Sequence, residues 1–353
     1  MKPHILVIGA GIAGLASAWT LARRGARVTV LERGQPGRES SWAGAGILSL
    51  LLPWHYPEAV TRLAERSLAL YPDWITELRR HARTDPEYRR TGMLVLPPHT
   101  PMPPASLPWP SPPAEVAALG NGLWLPEVAQ ARNPRLLNTV LEAARAAGVE
   151  VHGELGPVHL ETGADRALAA LAGGRRWHAD HYLVCAGAWS AALLGPDAAG
   201  LPVAPVRGQI LLYQAAPGRL PCVVYRAGHY LVPRTDGLIL AGSTLEHAGF
   251  DKTPTEAARA ELHAFVTDLL PDVAATGPIR HWAGLRPGSP GNVPIIGRHP
   301  SLGNVHVNSG HFRYGVTLAP ASAELIADLI EGRAPQVDFR AYRWPDILRA
   351  TPV

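Results

Sequence analysis

The apolar run Ile5-Leu6-Val7-Ile8 turns through Gly9-Ala10-Gly11-Ile12-Ala13-Gly14 into a helical stretch, and a second run, Val28-Thr29-Val30-Leu31, ends at Glu32. Strand, glycine turn, helix, strand and acid in this order read as a complete dinucleotide-binding βαβ unit. Gly9 permits the tight strand-to-helix turn. Gly11 lets backbone amides approach a pyrophosphate at the positive helix end, and Gly14 lets the helix sit close on the sheet. Glu32 lies 18 positions after Gly14, where a strand-end carboxylate can accept the ribose hydroxyls. The helix between turns Leu15, Ala18, Trp19 and Ala22 inward and stops at Gly25.

Working outward, 353 residues with 47% hydrophobic and 18% charged can bury a large core and predict about two domains. Ile5 to Ala22 carries no charge, but three glycines weaken any membrane helix and no small-residue cleavage site follows. The expectation is therefore a cytoplasmic protein without a membrane span. Net charge is +4, with the basic residues only in pairs such as Arg23-Arg24 and Arg175-Arg176. That pattern reads as a solvated surface, with no nucleic-acid partner. Cys185 and Cys222 form no disulfide framework or metal spacing, and Cys185, inside Tyr182-Leu183-Val184-Cys185, reads as core. His178-x-x-His181 has no third ligand nearby, so no metal is expected.

Periodicity predicts helices from about Glu58 to His81; from an Asn133 cap with Pro134 behind it to Gly148; from a Thr253-Glu256 capping box onward; and from Pro320 to Gly332. His229–Pro233 and Leu238–Gly242, joined by Arg234-Thr235-Asp236-Gly237, read as an antiparallel hairpin. Such a hairpin does not belong to a plain doubly wound domain and implies an inserted second one. The proline-dense stretch 97–113 reads as a surface connection. The leucine-rich stretch Ile47 to Tyr56 either packs against the helix after it or walls a substrate entrance, with Leu51 and Leu52 as candidates.

Five further stretches carry a resemblance: Ser40 to Leu48, Val206-Arg207-Gly208-Gln209, Tyr230 to Arg234, Trp282-Ala283-Gly284-Leu285-Arg286-Pro287-Gly288, and Gly310-His311-Phe312-Arg313-Tyr314-Gly315. With the βαβ unit, and in this order over nearly the whole chain, they resemble the FAD-dependent glycine oxidases of the D-amino acid oxidase superfamily, the thiamine-thiazole biosynthesis type. The chain departs from that pattern over residues 93 to 132. The expected fold is mixed α/β, a Rossmann-like FAD-binding domain (1–82, 133–205 and 278–353) with an inserted, mostly antiparallel substrate domain (83–132 and 206–277).

The resemblance implies FAD, held without a covalent bond because no cysteine follows Cys222. It implies contacts from Gly9, Gly11, Ile12, Gly14, Glu32 and Arg33; from Ser40, Ser41, Ala45, Gly46 and Ile47 after them; from Val158, Ala186, Gly187 and Trp189; and from Gly310, His311, Arg313, Tyr314, Gly315, Val316 and Thr317 near the C-terminus. The small residues Ala43 to Gly46 would let backbone amides approach a flat ring, and Gly310 to Leu318 would return along its pyrimidine side. Arg286 matches the arginine that holds the substrate carboxylate and Tyr230 the tyrosine that shares it. Arg313 lines the pocket, orients the amine through its backbone, or anchors the loop. The implied reaction is hydride transfer from a small amino acid to flavin N5, with O2 reduced to H2O2 and glyoxylate and ammonia released. Sarcosine, D-alanine and D-proline stand as alternative substrates, and an NAD-dependent dehydrogenase or a flavin-containing RNA-modification protein as rival readings. Monomer and homo-oligomer are both left open.

Overall fold

The computed structural model describes residues 2–50, 56–99, 110–198 and 200–344. Its centre is a six-stranded sheet in the order Ile295–Arg298, Val305–Ser309, His181–Val184, His4–Ile8, Arg27–Leu31, Glu150–His152, parallel except for the antiparallel edge strand Ile295–Arg298. Its inner strands are apolar on both faces because both are covered. On one face the helices Ile12–Arg23, Glu58–His81, Asn133–Ala146 and Gly315–Glu331 build a core with Leu15, Trp19, Leu63, Tyr71, Val140 and Ile326. On the other, the antiparallel strands His159–Thr162, Ala167–Ala172 and Arg175–Trp177 close over Leu6, Ile8, Tyr182 and Val184.

A second sheet has seven strands in the order Arg280–Gly288, Ala204–Gln214, Leu238–Gly242, His229–Pro233, Val223–Arg226, Met93–Val95, Leu123–Leu125. All its pairs are antiparallel except Val223–Arg226 with Met93–Val95. The hairpin read from the sequence lies at its middle, with Tyr230 opposite Gly242. The helix Glu256–Leu269 covers its outer face through Leu262, Phe265 and Val266. Its inner face carries Ile210, Val232, Tyr230 and Trp282 and meets Ala45. The strand that bears Arg286 is thus the edge of this second sheet, although the sequence reading put residues 278–353 with the cofactor domain. Among the described residues no helix is long and apolar enough to cross a membrane.

Three helix starts differ from the sequence reading. Asn133 is not a cap: its Nδ2 donates to Ser41 O at 2.7 Å, and Arg132 precedes the helix without a side-chain cap. The cap of Glu256–Leu269 is Thr255, whose hydroxyl accepts from Ala258 N at 3.3 Å, and not Thr253. The last helix begins at Gly315, five residues before Pro320 (320 − 315). A proline six residues into a helix cannot donate to the carbonyl four behind it, here that of Val316. Tyr71 Oη supplies that hydrogen bond instead, at 2.6 Å, which is why the helix tolerates the proline. Of the leucine-rich stretch, Ile47–Leu48 pair with Ala129–Gln130; Leu51 to His55 lie outside the described residues, and so does the entrance role considered for Leu51 and Leu52. Most of the proline-dense connection, residues 100–109, lies outside them too.

Candidate active site

The first strand ends at Gly9, whose φ of +109° and position beside the carbonyl of Cys185 leave no room for a side chain. A Cβ on Gly14 would strike the Gly9 carbonyl, so Gly14 sets the helix against the turn. Gly11 faces only Ser41 Oγ, at 3.2 Å from where its Cβ would be, leaving the helix N-terminus open toward a cavity. Buried Glu32 accepts from Ala10 N at 2.8 Å and Gly34 N at 3.0 Å through different oxygens.

From this turn a cavity of about 620 Å³ runs between the two sheets, within the roughly 300–1,000 Å³ of small-molecule and cofactor sites. At one end Arg33 stacks on the Trp189 ring at 3.7 Å, near Val158. Along the middle the segment Ser40 to Ile47 is held from behind by its carbonyls. Asn133 Nδ2 takes Ser41 O, Trp282 Nε1 takes Ala43 O at 3.0 Å, Arg234 Nη2 takes Ala45 O at 2.6 Å and Ala131 N takes Gly46 O at 2.9 Å. Across from it, Gly315, Val316 and Thr317 bring the first turn of the last helix to the cavity. Amide donors of a first turn have no intrahelical partner and carry the positive end of the helix dipole.

At the far end stand Arg286, Tyr230, Ser243, Tyr225, Tyr56 and Arg313. The Arg286 guanidinium donates to Ser243 Oγ at 2.7 Å and to Thr244 O at 3.1 Å. Burial lowers its pKa from the usual value; Tyr230 acts to raise it and the charge of Arg313 to lower it further. A guanidinium stays cationic under such a shift. The result is a desolvated cation with no carboxylate paired to it among the described residues. Behind it, Arg207 pairs with Glu246 at 2.7 Å and Asp251 at 2.8 Å, and Gln209 Nε2 donates to Glu246 at 2.8 Å, a closed network that stiffens the strand. Thr244, next to Ser243, donates its hydroxyl to Glu246 at 2.5 Å, so this network also holds the backbone beside Ser243.

Every expected cofactor and substrate residue lines this one cavity except Gly14 and Gly310. Both are packing glycines: a Cβ on Gly310 would stand 2.7 Å from Ile295 Cδ1. Ser243, Tyr225 and Asn308 also line it and carried no sequence signal, and so do Asn133, read from the sequence only as a helix cap, and Tyr56, the last residue of the leucine-rich stretch. Asn133 Oδ1 and Asn308 Oδ1 are buried and accept nothing from the described residues. Unpartnered polar atoms in a cavity wall mark where a ligand or water hydrogen-bonds. With the glycine cradle, the Glu32 carboxylate and the helix amides, they fit a dinucleotide that carries a polar ring system. His311, also in the wall, is buried, pushed down to about 4 by desolvation and 3.1 Å from Ser322 Oγ, so it is a neutral ring. Among the described residues no three His, Cys, Asp or Glu side chains group as metal ligands.

A nucleotide-cradling βαβ unit whose cavity ends at an arginine carried by an antiparallel sheet fits one class, the flavin-dependent oxidoreductases. The chain belongs to the FAD dependent oxidoreductase (DAO) family, whose model matches residues 4–329. Its cofactor is FAD. It is 42% identical to a glycine oxidase of Pseudomonas aeruginosa, over 97% of this chain and 98% of that one. It superposes on a glycine oxidase structure from Geobacillus kaustophilus with a TM-score of 0.87 at 24% identity, covering 97% and 99% of the two chains. It superposes on an iminodiacetate oxidase from Chelativorans with a TM-score of 0.81 at 26% identity, covering 96% and 98%.

Proposed function

We propose that this enzyme oxidises glycine and similar small amino acids, giving glyoxylate and ammonia from glycine and reducing O2 to H2O2. The observation that carries the reading is Arg286: a cation held in the cavity wall by Ser243 and Thr244, with Tyr230 beside it. A planar guanidinium and a phenol together fix the position and tilt of an α-carboxylate, and most of the rate enhancement then comes from orientation. When bound, FAD supplies the two-electron acceptor that O2 reoxidises. The residues that would hold it are those of the Gly9 turn, Glu32, the segment Ser40 to Ile47 and the first turn after Tyr314. His311 is neutral and hydrogen-bonded to Ser322; in this reading the substrate amine loses its proton to water before reaction, without a side-chain base. Cys222 lies outside the cavity wall, and Cys185, which lines it, is kept a neutral thiol because burial pushes its pKa up, which supports FAD held without a covalent bond. The same reading places the enzyme in the cytoplasm.

Replacing Arg286 by Ala removes the carboxylate's partner and should lower kcat/KM for glycine on the order of a hundredfold, roughly 3 kcal/mol of transition-state binding. FAD content should stay that of the wild type. A steady-state peroxide assay over glycine, sarcosine, D-alanine and D-proline ranks the substrates. Unchanged turnover of all four in the variant removes Arg286 from the substrate site, and loss of flavin reassigns it to the fold.

A further inference from the structure

The segment between the strand Leu238–Gly242 and the helix Glu256–Leu269 leaves the second sheet as a loop pinned at both ends by Arg207. The Arg207 backbone exchanges hydrogen bonds with that of Glu246, its N–H donating at 2.9 Å and its carbonyl accepting at 3.0 Å. Its guanidinium donates to Asp251 Oδ2 at 2.8 Å and to Thr253 O at 3.1 Å. Between these anchors the chain turns tightly, with Asp251 N donating to Ala248 O at 3.2 Å and Gly249 at a φ of +58°. The tip of this loop carries Phe250, 49% exposed.

The tip reaches across to the nucleotide end of the cavity. The Phe250 ring lies 5.5 Å from the Trp189 ring, tilted by 30°, and Lys252 Nζ donates to Glu39 at 3.0 Å. Trp189 also carries the Arg33 guanidinium over its ring at 3.7 Å, and Arg33 donates to Glu39 at 2.8 Å. Arg33, Glu39 and Trp189 line the cavity; Phe250 and Lys252 do not. The loop therefore acts on the cavity through residues of its wall. Of its two contacts, the Lys252–Glu39 pair is open to solvent, where an ion pair is screened and contributes little. The aromatic pair persists in salt and takes about half of the Phe250 surface out of water. Phe250 is thus the stronger of the two holds.

We propose that Phe250 is a positioning residue for FAD. Carried on a loop of the second sheet, it fixes Trp189, and through Trp189 the Arg33 side chain, in the arrangement that lines the nucleotide end of the cavity. Without the phenyl ring, Trp189 and Arg33 gain rotamer freedom that FAD binding then has to remove, so affinity falls although no wall residue has changed. The base of the loop stays pinned by Arg207 in such a variant, so the fold of the second sheet is untouched. The inference concerns FAD alone and stands whichever amine the enzyme oxidises.

The experiment is serial dilution of the holoenzyme, with released FAD read from the recovery of flavin fluorescence to give its Kd, for the wild type and for Phe250→Ala, Phe250→Tyr, Lys252→Gln and Leu245→Ala. Leu245, 46% exposed, is an apolar residue of the same segment and serves as the control. The melting temperature of each protein after flavin removal separates positioning from folding. In Phe250→Ala the Kd for FAD should rise about fivefold or more, with the melting temperature of the flavin-free protein unchanged. Phe250→Tyr keeps the ring and should restore the wild-type Kd, and Leu245→Ala should not move it. A wild-type Kd in Phe250→Ala overturns the proposal. So does a raised Kd that Leu245→Ala reproduces, that Phe250→Tyr fails to restore, or that comes with a flavin-free protein melting several degrees lower. A larger rise in Lys252→Gln than in Phe250→Ala overturns the assignment to Phe250.

Discussion

The guanidinium of Arg286 lies across the bare Cα of Gly208 on the neighbouring strand: a methyl group there would fall inside van der Waals contact with Cζ, Nη1 and Nη2 together. Strand pairing sets Gly208 opposite Gly284, two residues before Arg286, so the arginine's stem reaches back over the glycine toward Ser243 and Thr244. The glycine of Val206-Arg207-Gly208-Gln209 therefore serves the arginine and not a turn.

Gly208→Ala should push the guanidinium off this seat while leaving the strand and the flavin region in place. The expected outcome is a KM for glycine raised about tenfold or more with a smaller change in kcat, since the lost contact binds ground and transition states alike. Flavin absorbance per polypeptide should match the wild type. An unchanged KM would show that the arginine has a second seat of equal use.

Buried Arg234 donates to Gln130 Oε1 at 2.7 Å, Ala131 O at 3.2 Å and Ala45 O at 2.6 Å, and burial pushes its pKa down to about 10. Arg234→Met leaves these acceptors buried without donors, a cost of about 1–3 kcal/mol each where water cannot replace them. The apo protein should melt at a lower temperature, and because Ala45 is released, FAD affinity measured by titrating apo protein should weaken. A lowered melting temperature with unchanged FAD affinity would confine Arg234 to a structural role.

Tyr71→Phe removes the donor to Val316 O at a site where Pro320 has no N–H to offer. The loss should be about 1–3 kcal/mol in urea unfolding. Pro320→Ala restores a backbone donor to the same carbonyl, so the double variant should be more stable than the two single changes sum to. Strict additivity would mean that the carbonyl is satisfied by something else.

Burial pushes His306 down to about 3, with the charges of His181 and Arg298 acting the same way, and His311 down to about 4. Both rings are thus neutral in the fold at pH values where an unfolded histidine, near 6.5, takes a proton. The unfolded state then binds more protons, so stability is present above about pH 6.5 and is lost as the pH falls toward 4, by up to about 1.4 kcal/mol per pH unit for each ring. Urea midpoints between pH 7 and 4.5 check this. His306→Gln should flatten the slope, and a slope identical to the wild type would show that His306 is not one of its sources.

What was legible in the chain was local. The Gly9 to Glu32 unit could be read because a tight turn, a close helix and a strand-end acid are demands made within a few residues of one another. The helix Glu58–His81 was found at both ends because its buried face repeats with the helical period and needs no distant partner to be seen. Arg286 could be read only through the resemblance of Trp282 to Gly288 to the stretch that carries the family's carboxylate-binding arginine.

The misread starts share one cause. Asn133 and Pro320 follow rules that weigh only neighbours in sequence, yet Asn133 is claimed by Ser41 and the carbonyl behind Pro320 by Tyr71. Ser243, Tyr225 and Tyr56 are ordinary polar and aromatic residues until two sheets meet and turn them toward one cavity. The sequence alone determined the nucleotide cradle and the hairpin at the middle of the second sheet, because turns and side-chain periodicity are properties of short segments. The tertiary structure alone decided where Arg286 points, which carbonyls hold the segment Ser40 to Ile47, and that Arg313 shares a cavity with Arg286, because those contacts join residues far apart in the chain and exist only once the sheets have packed.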